Sequence, residues 1–194
     1  IVGTQVGLFV EHLSGGLSSA VWKITFINNR CVIKQALEKL KVGKDWFADI
    51  ERIHREHEVM VALAEFVTTG TIPTVLHADY TNHVYIMTCA EEGAKTWKDI
   101  LMCGTFSISL AKSAGQLLWQ FHGNSNRMRA EDKEKLRDQK YFIQLRVDPF
   151  HRYLMHKFPQ LATPIQQLVD EVTLEKKCLV HGDFSPKNML VERG

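Results

Sequence analysis

The first half of the chain alternates between short apolar runs and clusters of turn-forming residues. Alternation of this kind, with β-branched and aromatic residues in the runs, is typical of β-strands. An Asn28-Asn29 pair between two such runs indicates a tight hairpin. The pattern predicts a sheet of five strands, at 6–13, 20–27, 30–36, 74–78 and 82–89.

Helical periodicity occurs between the third and fourth predicted strands and then throughout most of the second half. Apolar residues at three- and four-residue steps predict one long helix over 46–66. An apolar stripe from Ile108 to Phe121 predicts a buried helix over 107–122. Further helices are predicted at 95–102 and 164–172, with helical segments across 127–157.

Near the end of the chain, two short apolar runs enclose a polar loop. The runs at 179–180 and 189–191 predict two small strands, which would form a hairpin. Between them, Asp183 and Asn188 lie on a segment rich in loop-forming residues. An aspartate there can accept a hydrogen bond from a substrate hydroxyl and take its proton, and an asparagine oxygen can hold a metal ion beside phosphate. A plain turn without chemistry is the alternative.

The composition limits the class of protein and its partners but indicates no particular reaction. The 194 residues are 45% hydrophobic and 24% charged, which is typical of a globular protein. A net charge of +2 gives no reason to expect a nucleic-acid partner, and no apolar run is long enough to cross a membrane. Four scattered cysteines without a C-x-x-C pair predict reduced thiols and a cytoplasmic protein. The oligomeric state stays open.

Two features of the predicted sheet could bind an anion. Lys34 lies in an apolar strand, where its ammonium is costly unless it meets a negative group; an edge-strand lysine pointing to water is the alternative. Gly15 and Gly16 form a turn at which backbone N–H groups could approach a phosphate, although plain Gly-Ser turns are common. On the long helix, His54 and His57 are expected to be solvated, because two histidines alone do not make a zinc site.

These motifs, in this order, resemble the protein-kinase-like superfamily. His181, Asp183 and Asn188 match its catalytic-loop pattern H-x-D-x-x-x-x-N, and the H-G-D form is similar to the aminoglycoside phosphotransferase and methylthioribose kinase branch. The resemblance implies an α+β, two-lobed protein-kinase-like fold. Its N-lobe, at 1–92, would hold a five-stranded antiparallel sheet with one helix, and its C-lobe, at 93–194, would be mostly helical and incomplete.

The resemblance also implies a role for individual residues, with ATP and Mg²⁺ as cofactors. Lys34 would bind the α- and β-phosphates, and Glu56 is the expected partner of Lys34 among Glu51, Glu56 and Glu58. Asp183 would be the catalytic base and Asn188 the Mg²⁺ ligand. The remaining nucleotide contacts would come from the phosphate turn and from the backbone of the hinge between lobes. They are Gly15, Gly16, Ser18 and Ser19 in the turn, and Thr88, Cys89 and Ala90 in the hinge.

The implied function is ATP-dependent transfer of the γ-phosphate to a hydroxyl of a small molecule, such as a sugar, an amino alcohol or an aminoglycoside. Gly182 and Ser185 stand where protein kinases carry basic residues, which disfavours a protein substrate. The second metal-binding acid of the family, in a D-F-G or D-x-E motif, is expected beyond residue 194. The chain is therefore expected to be an inactive fragment, and a non-catalytic nucleotide-binding pseudokinase or scaffold is the alternative.

Overall fold

The computed structural model describes residues 7–13, 16–27, 29–43 and 45–192. Packing divides the chain into two compact units. The sheet unit comprises Ile1–Ser107 with Ser185–Gly194, and the helical unit comprises Ile108–Phe184. The division differs from the expected boundary at 92/93, because Lys95–Thr96 and Leu190–Val191 pair with each other inside the sheet unit. As a boundary between functional lobes, 92/93 stays a prediction.

The sheet unit is built on five antiparallel strands in the order β1-β2-β3-β5-β4. The predicted five-stranded antiparallel sheet is thereby confirmed, with strand ends shifted by a residue or two. Asn28, half of the predicted hairpin signal, lies outside the described residues. The strands are β1 Leu8–Leu13, β2 Ser19–Phe26, β3 Asn29–Ala36, β4 Val75–Asp79 and β5 Val84–Thr88.

One helix, α1 at Arg52–Leu63, lies against β3, β4 and β5. Ile53 of the helix packs with Ala36 and Tyr85 of the sheet to form the buried core of this unit. The predicted helix over 46–66 was too long at its start. Backbone hydrogen bonds explain the difference, because the segment 46–48 bonds to 38–40 at Leu40 N–H to Trp46 O (2.9 Å) and Ala48 N–H to Glu38 O (3.0 Å).

The predicted hairpin at 179–191 is wrong. Only Leu190–Val191 forms a strand, β7, and it pairs with β6 at Lys95–Thr96 instead of with residues 179–180. The predicted helix over 95–102 is consequently shorter, since its first two residues belong to β6. The helix α2, at Trp97–Met102, begins where the Thr96 side chain accepts a hydrogen bond from the Asp99 N–H at 3.0 Å.

The helical unit begins with α3 at Ile108–Asn124 and continues through short helices. The prediction that α3 is buried holds for Phe121 but fails for Ile108, which is 78% exposed. A π-helix at Ile143–Arg152 contains Pro149, whose missing N–H removes one ordinary helical donor. The buried residues described in this unit are Phe121, Ser125, Met128, Val147 and Val169. The other helices are α4 Ala130–Arg137, α5 Lys140–Phe142, α6 Tyr153–Lys157 and α7 Ala162–Leu174.

In the part of the chain that the structure describes, no helix has the length and apolar character needed to cross a bilayer.

Candidate active site

Lys34 and Glu56 form an ion pair in the sheet unit. The ammonium Nζ of Lys34, on β3, donates to Glu56 Oε1, on α1. Of the three glutamates that the sequence offered, Glu56 is thus the partner, whereas Glu58 accepts a hydrogen bond from Tyr80 at 3.3 Å. The Lys34 side chain is 22% exposed and the Glu56 side chain is 42% exposed, so solvent reaches both groups.

Tyr85, which was not predicted from the sequence as a site residue, forms a hydrogen bond with this ion pair. The Tyr85 hydroxyl, from β5, donates to the same Glu56 oxygen at 2.9 Å. Tyr85 is opposite Lys34 in the register of β3 and β5, and it is 1% exposed. Burial is the main cause that raises the pKa of Tyr85 above its usual range, and the neighbouring Glu56 charge adds to it. The phenol therefore stays protonated and remains a donor.

The turn between β1 and β2 is closely packed at its described end. A Cβ on Gly16 would lie 3.3 Å from the Ser19 carbonyl oxygen, a close approach that favours glycine. Ser19 is buried, and the Ser18 carbonyl accepts the Leu37 N–H at 3.0 Å. Gly15 lies outside the described residues, so its predicted phosphate contact has no structural description.

Arg52, a second residue that sequence reasoning missed, ties this turn to the start of α1. Its buried guanidinium donates to the carbonyl oxygens of Ser18 and of Leu37 (2.7 Å). It also donates to those of Ala48 (3.0 Å) and Asp49 (2.7 Å). One side chain therefore connects the turn, the end of β3 and the helix that carries Glu56. The sequence does not indicate this role of Arg52, because the carbonyl groups that its guanidinium binds come from segments far apart in the chain.

The predicted hinge follows β5. The Thr88 N–H donates to the Thr74 carbonyl at 2.9 Å, and the Thr88 hydroxyl accepts the Thr74 N–H at 2.9 Å. The Thr88 N–H therefore already donates a hydrogen bond within the sheet unit and is not available to a ligand. Cys89 and Ala90 come next and are half-buried, and the Glu91 N–H donates to Glu192 Oε1 at 2.9 Å.

Asp183 belongs to the helical unit and forms an ion pair there. Arg146 Nη2, on the π-helix, lies 3.1 Å from Asp183 Oδ2, and Arg146 Nε donates to the Gly182 carbonyl at 2.7 Å. Both side chains are 31% exposed. Arg146 was not singled out from the sequence, since its position three dozen residues before the loop gives no signal.

His181 has structural contacts on both sides. Its Nδ1 accepts the Asp183 N–H at 3.2 Å, so this nitrogen is the unprotonated one. Its ring stacks against Phe121 of α3 at 6.5 Å between centroids, and it meets Phe184 edge-on at 5.8 Å. The one deeply buried residue of α3 is therefore the one that packs beneath the predicted catalytic loop.

Asn188 ends a 3₁₀ turn at Pro186–Asn188 in the sheet unit, where its N–H donates to the Ser185 carbonyl at 2.9 Å. Its exposed amide oxygen is a hard donor of the kind that Mg²⁺ accepts. Among the described residues, no group of three or more His, Cys, Asp or Glu side chains could hold a metal ion. One amide oxygen fits a Mg²⁺ ion whose other ligands would be mainly phosphate oxygens and water, with few ligands from the protein.

The expectation that His54 and His57 are solvated is wrong for His57, which is 3% exposed. His54 Nε2 lies 3.0 Å from His83 Nδ1, and the His54 ring stacks on Tyr80 at 4.4 Å. Burial is the largest cause that lowers the pKa of both His54 and His57. The cluster joins α1 to the turn between β4 and β5, and His57 directly follows Glu56 in the chain.

A sheet of five antiparallel strands crossed by one helix, with a helical remainder, is the architecture of kinase-like phosphotransferases. A sequence profile of the phosphotransferase enzyme family, APH, matches residues 10–194, and the chain therefore belongs to this family.

A solved structure shares the fold. It is the crystal structure of spectinomycin phosphotransferase, APH(9)-Ia, in complex with ADP and spectinomycin, with a TM-score of 0.52 and 13% sequence identity. The match covers 97% of this chain and 61% of that chain, so this chain spans about three fifths of its relative's length. No curated protein matches the sequence significantly.

Proposed function

We propose that the protein is an ATP-dependent phosphotransferase that moves the γ-phosphate of ATP to a hydroxyl of a small molecule. Membership of a phosphotransferase family supports the reaction class. The single observation that carries the proposal is the Lys34–Glu56 ion pair, because a strand lysine held by a helix glutamate is the arrangement that kinases use to bind phosphates.

In this proposal, Lys34 binds the α- and β-phosphates of ATP while Glu56 holds its ammonium in place. The backbone at Gly16, Ser18 and Ser19 covers the phosphates, and Arg52 fixes this turn against α1. An adenine edge needs both a donor and an acceptor. Since the Thr88 N–H is committed to Thr74, the donor would come from Cys89 or Ala90 and the acceptor from the Thr88 carbonyl.

Asp183 is the proposed base. Its carboxylate accepts a hydrogen bond from the acceptor hydroxyl, orients the oxygen for attack on the γ-phosphorus, and takes the proton as the new P–O bond forms. The bond between the γ-phosphorus and the β,γ-bridging oxygen breaks at the same time, and ADP leaves. Arg146 holds the carboxylate through Oδ2 and holds the neighbouring Gly182 carbonyl, which limits rotation of the loop. Asn188 would be a Mg²⁺ ligand, and the ion, when bound, neutralises charge on the phosphates.

The acceptor is proposed to be neutral or anionic near its reacting hydroxyl. A site for a polycation is expected to be lined with carboxylates. Here the proposed base is already paired with a guanidinium, which reduces its attraction for an ammonium group. The surrounding segment 127–157 also carries more lysines and arginines than acids. A sugar therefore fits this site better than an aminoglycoside.

We also propose that the protein acts in the cytoplasm. Its four cysteines form no disulfide among the described residues, as expected of a reducing compartment.

The test is an assay of ATP turnover by the full-length protein with a panel of neutral sugars, sugar acids, amino alcohols and aminoglycosides. Asp183→Asn is expected to abolish transfer while ATP binding persists, because asparagine cannot take a proton. Asp148→Asn is the matched control, since Asp148 is also a half-buried aspartate paired with an arginine, at 2.5 Å from Arg152. Full activity in Asp183→Asn would rule out Asp183 as the base.

A non-catalytic nucleotide-binding module is the second candidate. The Arg146–Asp183 ion pair favours it, because a carboxylate oxygen that stays paired with arginine is less available to an acceptor hydroxyl. ATP binding without transfer to any acceptor would identify this case.

A further inference from the structure

We propose that Tyr85 is a positioning residue for ATP binding: its hydroxyl fixes the Glu56 carboxylate, and through it the ammonium of Lys34. This inference rests on the proposed function, since it assigns to Tyr85 an effect on the same nucleotide site. It also makes a claim about the Lys34–Glu56 pair that can be tested without nucleotide.

The geometry brings two side chains, Lys34 and Tyr85, to one carboxylate oxygen of Glu56. Lys34 and Tyr85 are directly opposite in the antiparallel pair β3–β5, so their side chains lie on the same face of the sheet. Glu56 reaches that face from α1, and its Oε1 accepts both the Lys34 ammonium and the Tyr85 hydroxyl, the latter at 2.9 Å.

The difference in burial indicates which group fixes the others. Lys34 and Glu56 are partly exposed, and an exposed ion pair by itself holds long side chains only weakly. Tyr85 is almost fully buried in the core with Ile53 and Ala36, so its ring has little freedom to move. A hydrogen bond from this rigid group to Glu56 restricts the carboxylate, which in turn restricts the ammonium.

The chain contains a matched tyrosine for comparison. Tyr80 also donates its hydroxyl to a glutamate of α1, Glu58, but the distance is 3.3 Å and Tyr80 is 54% exposed. Glu58 has no lysine on β3 as its partner. Removal of the Tyr80 hydroxyl therefore imitates the chemical change at Tyr85 without touching the Lys34–Glu56 pair.

The first measurement is the KM for ATP in Tyr85→Phe and Tyr80→Phe. Tyr85→Phe keeps the ring and is expected to raise KM about three- to tenfold with a smaller change in kcat, because the lost hydrogen bond contributes to holding ATP in ground and transition states alike. Tyr80→Phe is expected to leave KM unchanged. In a Glu56→Met background, Tyr85→Phe should add less than twofold, since no side-chain oxygen remains at position 56 to accept the Tyr85 hydroxyl.

The second measurement needs no ATP. The rate at which acetic anhydride labels Lys34, followed by mass spectrometry, should rise in Tyr85→Phe and stay at the wild-type value in Tyr80→Phe. Tyr85→Met, which also lacks the hydroxyl, replaces Tyr85→Phe if melting curves show that the latter does not fold.

The two kinds of failure are distinguishable. If the wild type neither binds nor turns over ATP, the proposed function fails, and a raised labelling rate in Tyr85→Phe still supports the positioning of Lys34. If Tyr85→Phe leaves both the KM for ATP and the labelling rate at wild-type values, the role of Tyr85 is overturned. A rise in KM of equal size with and without the Glu56 carboxylate would also overturn it.

Discussion

Arg146 and Asp183 are joined by a 3.1 Å contact between Nη2 and Oδ2, while the same guanidinium donates through Nε to the Gly182 carbonyl at 2.7 Å. The arginine therefore holds both a side chain and a backbone group of two consecutive loop residues. An arginine in this position fixes the orientation of the carboxylate. It also occupies Oδ2, one of the two oxygens that could accept a hydrogen bond from an acceptor hydroxyl.

Substitution of Arg146 is expected to affect kcat more than the KM for ATP. Arg146→Met removes both contacts and releases the loop, so kcat should fall by about ten- to a hundredfold, as when a catalytic group is misplaced by a small distance. Arg152→Met is the control, because Arg152 pairs with Asp148 on the same π-helix and, among the described residues, forms no ion pair with the loop. A higher kcat in Arg146→Met would instead show that the ion pair restrains the base.

Lys34→Met is expected to reduce kcat/KM for ATP by about a hundredfold or more, because it removes the proposed phosphate ligand. Lys39→Met is the control in the same unit. Lys39 pairs with Asp45 at 2.5 Å, and its side chain is exposed. Steady-state kinetics at several ATP concentrations measure both variants, and equal effects of the two substitutions would contradict the assignment of Lys34.

Gly16→Ala is expected to raise the KM for ATP by about three- to tenfold. The added Cβ would lie 3.3 Å from the Ser19 carbonyl, so the turn would have to shift at the point where the phosphates are proposed to bind. Gly43→Ala is the matched control, since no atom lies within 4 Å of the Cβ it would add. Direct measurement of the ATP dissociation constant for both variants checks the prediction.

The sequence predicts best what depends on local pattern. The five strands and the helix α1 follow from short-range periodicity, and the Lys34–Glu56 pair was expected from the family resemblance. The start of α1 could not be predicted, because residues 46–48 bond instead to a segment earlier in the chain. Strand β7 was paired wrongly for the same reason, since its true partner at Lys95–Thr96 is distant in sequence.

The site residues that the sequence reasoning missed are those whose roles depend on tertiary contacts. Tyr85 looked like an ordinary strand tyrosine until the register placed it opposite Lys34. Arg52 bonds to backbone carbonyls, and Arg146 bonds to a loop carbonyl beside its ion pair with Asp183. Every residue has a carbonyl, so no sequence pattern marks these targets. His57 was assigned to solvent because two histidines alone do not make a zinc site, yet it is buried and its ring contacts Tyr85 of the sheet.

His54 and His57 are expected to make the free energy of unfolding depend on pH. In the folded protein the pKa values of His54 and His57 are lowered, mainly by burial, and then by the charge of His83 on His54 and of His54 on His57. In the unfolded chain both return to about 6.5. Below that pH the unfolded chain binds more protons than the folded one, so the free energy of unfolding falls as the pH drops from about 7 through 6.5 toward the folded pKa values.

Melting temperatures at pH 7.5, 6.5 and 5.5 test this dependence, with a decrease of about 2–4 °C expected for each kcal/mol lost. His57→Gln removes one of the two titrating groups, so its melting temperature should change less between pH 7.5 and 5.5, whatever its absolute stability. His77→Gln is the control, because His77 lies exposed on β4 and its substitution should keep the wild-type slope. A wild-type slope in His57→Gln would show that the buried histidine does not couple folding to protonation in this range.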